Sequence, residues 1–365
     1  MAKKTPILKK TITLANNIML QHIIPVTRYY GSKRKLLPAI WGEIEKREIP
    51  FESVLDIFGG SATFSYYAKL KGKKLIYNDL FRFNYLIAKA IIGNKTLSLS
   101  LDETLQLLKE NPDINYKHII QENFNDIYYP DDENRVIDIV IQNIQHLADE
   151  EKQASAYYIL FQSCMIKRPY NLFHRKNLNL RTNYNGGNFG NKTTWERSFE
   201  ELFIRFHKEL SECTFDNGFD NKILNSSALK CDANADLVYI DPPYFHKDNH
   251  LTYHSKYHFL EGLAHYDQIL SNINFETKNK EITINKTREF ENKATFLFEL
   301  DQLLNKHSDS VILLSYRSNG IPSIIEIEEL LRRHRSNVEV ITLGKYNYAL
   351  TRNNKETEEY LFIGK

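Results

Sequence analysis

The chain has 365 residues, 42% of them hydrophobic, and a net charge of only +2. Its 22 tyrosines and 21 phenylalanines can fill a substantial core, which excludes an intrinsically disordered chain. Cys164, Cys213 and Cys231 are odd in number, widely spaced and without a C-x-x-C, which argues against a disulfide framework or a zinc site and calls for no metal.

The N-terminal stretch MAKKTPILKKTITLANNIML is basic but lacks a long apolar run. It reads as neither a signal peptide nor a membrane span, and the expectation is a soluble cytoplasmic protein with no membrane attachment. RYYGSKRKLL, residues 28–37, is a polar, aromatic loop leading into a helix, with Ser32 near its cap. Leu37, Ile40, Trp41 and Ile44 follow at helical spacing. SVLDIF is a buried-type strand ending at a glycine pair. SATFSYYAKLKG is a helix stopped by Gly72, and KLIYNDL is a second strand ending in an acid. DLVYIDPPY and SVILLSYRSNG add two strands, SIIEIEELLRRH a helix, VEVITL and EYLFIGK the last strands. Strands alternating with helices predict a mainly parallel, twisted α/β sheet.

The stretch between GGS and DPPY is too long for that alternation. Residues 94–220 therefore read as an inserted domain, with 27–93 plus 221–365 forming the main domain and 1–26 an N-terminal extension. From Lys152 to Trp195 no Asp or Glu occurs, whereas residues 100–151 are rich in both. TNYNGGNFGNKTT is a loop or hairpin by composition.

Three pieces carry chemistry. In DIFGGSATF, Asp56, Phe58, Gly59 and Gly60 lie where a strand turns into a helix, and glycines there admit a ligand close to free N–H groups. The spacing is not G-x-G-x-x-G, so a dinucleotide is poorly supported. Asp79 ends the next strand, where an acid can accept from ribose hydroxyls. S-adenosyl-L-methionine, a nucleoside without a pyrophosphate, fits both features. Tyr29, Tyr30 and Lys33 precede the first helix, and Lys33 is a candidate for the cofactor carboxylate. Asp241, Pro242, Pro243 and Tyr244 leave a strand of the same sheet. Prolines fix the backbone and leave carbonyls as placed acceptors, Asp241 accepts when ionised, and Tyr244 offers a face for a base. That set suits a planar ring bearing an exocyclic NH2.

DIFGGS, YNDL and DPPY, with YYGSK upstream, resemble the Dam-type adenine-N6 DNA methyltransferases of the alpha group, of restriction-modification type. The resemblance implies a Rossmann-like methyltransferase sheet with an inserted, mainly helical DNA-recognition domain. It implies transfer of a methyl group from S-adenosyl-L-methionine to a flipped-out adenine in double-stranded DNA, with a cognate restriction endonuclease encoded nearby as companion. It assigns Asp241, Pro242, Pro243 and Tyr244 to catalysis. Tyr29, Tyr30, Lys33, Asp56, Phe58, Gly59, Gly60, Asp79 and Asp241 fall to the cofactor. The family's usual acid for the cofactor adenine is missing; NSSALKCDANAD puts Ser226 or Ser227 there, and Ser227 takes the assignment. Lys167, Arg168, His174, Arg175, Lys176, Arg181, Asn191 and Lys192 in the acid-poor segment are expected to contact DNA. Transfer to cytosine N4, RNA or protein-glutamine methylation, and a non-catalytic DNA-binding protein of the same fold remain as alternatives. Cytosine-C5 chemistry is disfavoured because none of the three cysteines follows proline.

Overall fold

A computed structural model describes residues 24–26, 28–183, 192–245, 252–284, 287–346 and 357–365. They fall into two compact units, one drawing on 1–80, 216–250 and 287–365, the other on 81–215 and 251–286.

The first unit holds a seven-stranded sheet: β1 (Ser53–Asp56), β2 (Lys74–Asp79), β3 (Lys222–Asn225), β4 (Leu237–Ile240), β5 (Val311–Arg317), β6 (Val338–Tyr346) and β7 (Thr357–Gly364). The order is β3-β2-β1-β4-β5-β7-β6. β1 to β5 run parallel, and β7 is antiparallel to both β5 and β6. β4 is buried along its whole length, the continuous apolar pattern of a parallel strand covered on both faces. β3 was not legible in the sequence: its four residues, KILN, are half-exposed and give no apolar run.

The helix Leu37–Lys46 buries Leu37, Ile40, Trp41 and Ile44, the row its spacing predicts. Trp41 meets Phe51 and Tyr67 edge-on at 5.9 and 5.7 Å. The helix Thr63–Leu70 follows β1, and Gly72 beyond its end takes a φ of +70°, which favours glycine. The helices Phe296–Lys306 and Ile324–His334 pack Leu300, Leu303, Leu304, Ile327 and Leu331 onto Leu314 and Phe362 of the sheet, each fully buried side chain contributing about 1.5–3 kcal/mol.

The second unit is mainly helical. Its central helix, Glu150–Ile166, is buried continuously from Ala154 to Met165, the character of a helix enclosed by others. The expected division at 94–220 differs from the compact units at both ends. The helix Arg82–Ala88 belongs to the second unit, where Glu261 accepts the N–H groups of Arg82 and Phe83 at 3.2 and 3.1 Å. The helix Tyr253–Ala264, downstream of DPPY, also belongs there, because Phe259 packs on Phe124, Tyr128 and Phe173 at ring distances of 4.9–5.2 Å. Such contacts between distant segments leave no local mark in the sequence. Among the described residues no helix is long and apolar enough to cross a membrane.

Candidate active site at the carboxyl ends of the strands

The chain leaves β1 towards β2 and β3, then returns across β1 to lay down β4. β1 and β4 thus flank the point where the strand order reverses, and open α/β sheets bind ligands outside the carboxyl ends at that point. Asp56 is the last residue of β1 and is in register with Tyr239 of β4. Asp241 follows β4 directly, and Asp79 ends β2. Three carboxylates therefore converge on one edge.

Asp79 Oδ2 accepts the backbone N–H of Gly60 at 2.8 Å. Gly60 has a φ of +49°, and Ala62 adopts +59° just before the helix Thr63–Leu70, a conformation that costs an alanine about 1–2 kcal/mol. The glycine at 59 has a local cause. A Cβ there would lie 2.0 Å from the ring of Tyr77, whose hydroxyl donates to the Gly60 carbonyl at 2.8 Å. Phe58 is half-buried and packs edge-on against Phe290 at 4.9 Å.

Asp56 is buried and accepts from Ser65 Oγ at 2.7 Å through Oδ2, while its Oδ1 is enclosed without a hydrogen-bond partner among the described residues. Burial, aided by the charges of Asp241 and Asp79 and opposed by Ser65, pushes its carboxyl up to about 7. Ser227 Oγ is likewise buried and unpartnered among the described residues. Two orphaned polar atoms at the carboxyl ends of the strands fit a polar molecule that satisfies them. Tyr29 and Tyr30 are half-buried, and Tyr29 Cε1 lies 3.3 Å from where a Gly60 Cβ would stand.

Lys33 is buried, and its ammonium donates to Asp241 Oδ1 at 2.9 Å and to the Tyr244 hydroxyl at 2.8 Å. The Tyr244 hydroxyl in turn donates to Asp241 Oδ1. The sequence reading aimed Lys33 at a cofactor carboxylate; here its ammonium is engaged with the DPPY motif. Burial disfavours the ammonium, but Asp241, Tyr244 and Glu359 more than offset this and hold its pKa well above the ordinary amine value. Asp241 Oδ2 accepts no hydrogen bond among the described residues, and the Asp241 side chain is 18% exposed. Burial and the charge of Asp241 raise the Tyr244 phenol well above its usual value, so it stays a neutral donor. The Tyr244 ring sits edge-on to Tyr316 at 5.2 Å. Pro242 is buried and Pro243 half-buried, and Phe245 bridges to Ile321, whose N–H donates to the Phe245 carbonyl at 3.3 Å. That bridge fixes the exit of the DPPY turn.

The sequence reading missed Glu359 and Arg317. They are register partners on β7 and β5, and both are buried beside this group. EYLFIGK reads only as a closing strand; that its start lies at the site follows from β7 running antiparallel.

The expected DNA contacts divide. Lys167 and Arg168 are 1% exposed, and this corrects the expectation that they contact DNA. Lys167 pairs with Glu133 at 2.9 Å and donates to the Trp195 and Arg197 carbonyls. Arg181 grips the same Glu133 carboxylate through both terminal nitrogens, so it too is spent internally. The Arg168 guanidinium donates to the carbonyls of Tyr128, Leu172 and Arg175 and to Asn177 Oδ1. Buried cations without such partners are costly, and the acid-free run draws its counter-charge from Glu133, far away in sequence. His174 is half-buried; burial, then the charges of Arg175, Lys256 and Arg168, lower it to about 4, so it is neutral at pH 7. Arg175 and Lys176 are exposed. Asn191 lies outside the described residues, and Lys192 begins a short helix, Lys192–Glu196.

Comparison with known proteins gives a match to a family model described as D12 class N6 adenine-specific DNA methyltransferase, over residues 29–297. The chain is 27% identical to the type II methyltransferase M2.HphI of Haemophilus parahaemolyticus, over 93% of this chain and 97% of that one. It is 26% identical to the type II methyltransferase M.NlaIII of Neisseria lactamica, over 88% and 90%. It is 29% identical to the modification methylase StsI of Streptococcus sanguinis, over 92% of this chain but only 51% of that protein, so it spans about half of StsI.

Proposed function

The chain belongs to the D12 class of N6 adenine-specific DNA methyltransferases, and we propose that Asp241, Pro242, Lys33 and Tyr244 form its reaction centre. It is a site-specific DNA adenine-N6 methyltransferase of restriction-modification type, which selects adenine N6 over the cytosine-N4 and non-catalytic alternatives. The observation that carries the assignment of the centre is the set Lys33–Asp241–Tyr244 at the strand-order reversal, with Asp241 Oδ2 left open.

We read the methyl donor as S-adenosyl-L-methionine, which supplies an electrophilic methyl group when bound. Asp56 and Ser227, with their orphaned oxygens, and the Phe58–Gly60 turn would hold it, with Tyr29, Tyr30 and Asp79 beside them. Asp79, which accepts the Gly60 N–H, would face the ribose.

The exocyclic amine of adenine is a weak nucleophile because its lone pair is delocalised into the ring. In this reading Asp241 Oδ2 accepts one amine N–H and the Pro242 carbonyl the second. Both bonds favour a tetrahedral nitrogen with its lone pair released. As the nitrogen is alkylated it sheds one proton, and Asp241 is the acceptor at hand, with a partly exposed carboxylate from which the proton passes to water. Lys33 donates to Asp241 Oδ1 and orients the carboxylate. Orientation of this kind supplies about 7–11 kcal/mol of barrier lowering in favourable cases. The adenine must leave the duplex stack to reach Asp241.

For recognition we propose the mainly helical unit, with Arg175 and Lys176 as exposed phosphate contacts. The companion is proposed to be a restriction endonuclease of the same site specificity. Asp241→Ala tests the centre: turnover should vanish while DNA binding persists, and near-normal turnover would overturn the assignment.

A further inference from the structure

β7 enters the sheet antiparallel, so its first residues lie at the carboxyl edge of β5. Glu359 is the register partner of Arg317 there and is fully buried. Its Oε2 stands 3.9 Å from Lys33 Nζ, close enough for an ion pair and too far for a direct hydrogen bond. The same ammonium is 2.9 Å from Asp241. One buried cation is thus shared unequally by two carboxylates.

The sharing matters because Lys33 and Tyr244 both bond Asp241 Oδ1. In a site of low dielectric a lysine facing a single carboxylate is drawn fully onto it, and an ammonium astride both oxygens would close Asp241 to an incoming amine. We propose that Glu359 is a positioning residue for methyl transfer: its ionised carboxylate holds the Lys33 ammonium back, so that Asp241 keeps one oxygen open for the target amine. The inference rests on Asp241 as the acceptor of that amine.

Among the described residues, the charged and titratable groups facing Glu359 include Lys33 from the segment before the first helix, Asp241 and Tyr244 from beyond β4, and Arg317 from β5. Gly344, its register partner on β6, brings no charge, and Glu358 accepts from the Tyr360 hydroxyl. Burial pushes the Glu359 carboxyl up to about 7, with Lys33 and Arg317 lowering it and Asp241 raising it. Below that pH wild-type Glu359 is neutral and resembles glutamine; above it, the carboxylate acts.

The experiment is the single-turnover rate of methyl transfer, with saturating labelled S-adenosyl-L-methionine and genomic DNA from a strain lacking adenine methylation. Wild type, Glu359→Gln and Glu359→Asp are compared across pH. The wild-type rate should exceed that of Glu359→Gln by about tenfold near pH 8.5 and converge with it near pH 6, a difference equal to about one pKa unit of interaction. Dissociation constants for donor and DNA should stay within about twofold, and Glu359→Asp should recover most of the rate. Equal rates near pH 8.5, or a deficit that does not change with pH, would overturn the inference. If Glu359→Gln fails to fold, the wild-type profile decides: it should rise through about pH 7, and a flat profile overturns the inference. Wild-type protein that transfers no methyl to adenine would overturn the functional reading itself, whereas an active wild type with an unaffected Glu359→Gln overturns only the role of Glu359.

Discussion

Arg168 gives a prediction on which the sequence and the structure disagree. As a DNA contact it should be exposed, and its loss should weaken binding without unfolding the protein. In the structure it is 1% exposed and its guanidinium donates to the Tyr128, Leu172 and Arg175 carbonyls at 3.3, 3.2 and 3.0 Å and to Asn177 Oδ1. It lies 4.5 and 5.4 Å from the ring centres of Tyr128 and Phe173. Burial lowers its pKa only to about 10, so the charge persists at neutral pH. Three of its acceptors lie in residues 172–177, the loop that exposes Arg175 and Lys176. Arg168→Ala removes a large buried side chain and leaves those acceptors unpaired. At about 1 kcal/mol net for each of the four bonds, the lost hydrogen bonding alone is roughly 4 kcal/mol, and the cavity adds to it. Arg168→Lys keeps the charge but not the fork, and should cost about 1–3 kcal/mol. Urea unfolding followed by circular dichroism measures both. The DNA-binding salt slope, measured on folded protein, separates the two readings. Stability within about 0.5 kcal/mol of wild type together with a slope reduced by about one unit would refute the internal role.

Asp56→Asn should change the pH dependence of stability in a defined direction. The folded carboxyl titrates near 7 against an unfolded value of 3.8, so between these values the native state holds the extra proton and stability falls as pH rises. The amide removes that fall, and urea midpoints should rise relative to wild type near pH 8 and not near pH 4; a difference independent of pH would contradict this. Gly59→Ala places a methyl 2.0 Å from the Tyr77 ring, so the Gly59–Tyr77 contact must open, at a cost of about 1–3 kcal/mol read by thermal melting; an unchanged melting temperature would show that the ring moves freely. Arg175→Ala and Lys176→Ala should each reduce the DNA salt slope by about one unit and leave stability within about 0.5 kcal/mol; unchanged slopes would move recognition away from this loop.

Much of the sheet-bearing unit was legible because its signals are local. The spacing of Leu37, Ile40, Trp41 and Ile44, the apolar runs before Asp56 and Asp241, and Gly72 after its helix each announce an element within a few residues, and all are found as read. The grouping of Asp56, Asp79 and Asp241 followed from their shared place at strand ends. Signals that depend on distant partners were not legible. Gly59 was read as room for a ligand, yet its immediate demand is the Tyr77 ring. The basic run was read as a DNA surface because no acid lies within it, but Glu133 neutralises Lys167 and Arg181 from another helix. Glu359 gave no sign, since only the reversed direction of β7 brings it to Lys33. The recruitment of residues 251–286 into the helical unit depends on Phe259 meeting rings far upstream, a packing fact with no period to read.

The central claim is that Asp241 accepts the amine of adenine in DNA, and nucleoside analysis of methylated DNA tests it most directly. DNA from a strain lacking adenine methylation is incubated with S-adenosyl-L-methionine and either wild-type protein or Asp241→Ala, then digested to nucleosides and resolved by mass. Wild type should produce N6-methyladenine, and Asp241→Ala should produce none while still retarding the same DNA on a gel. N4-methylcytosine as the product, or N6-methyladenine from Asp241→Ala at the wild-type rate, would contradict the account.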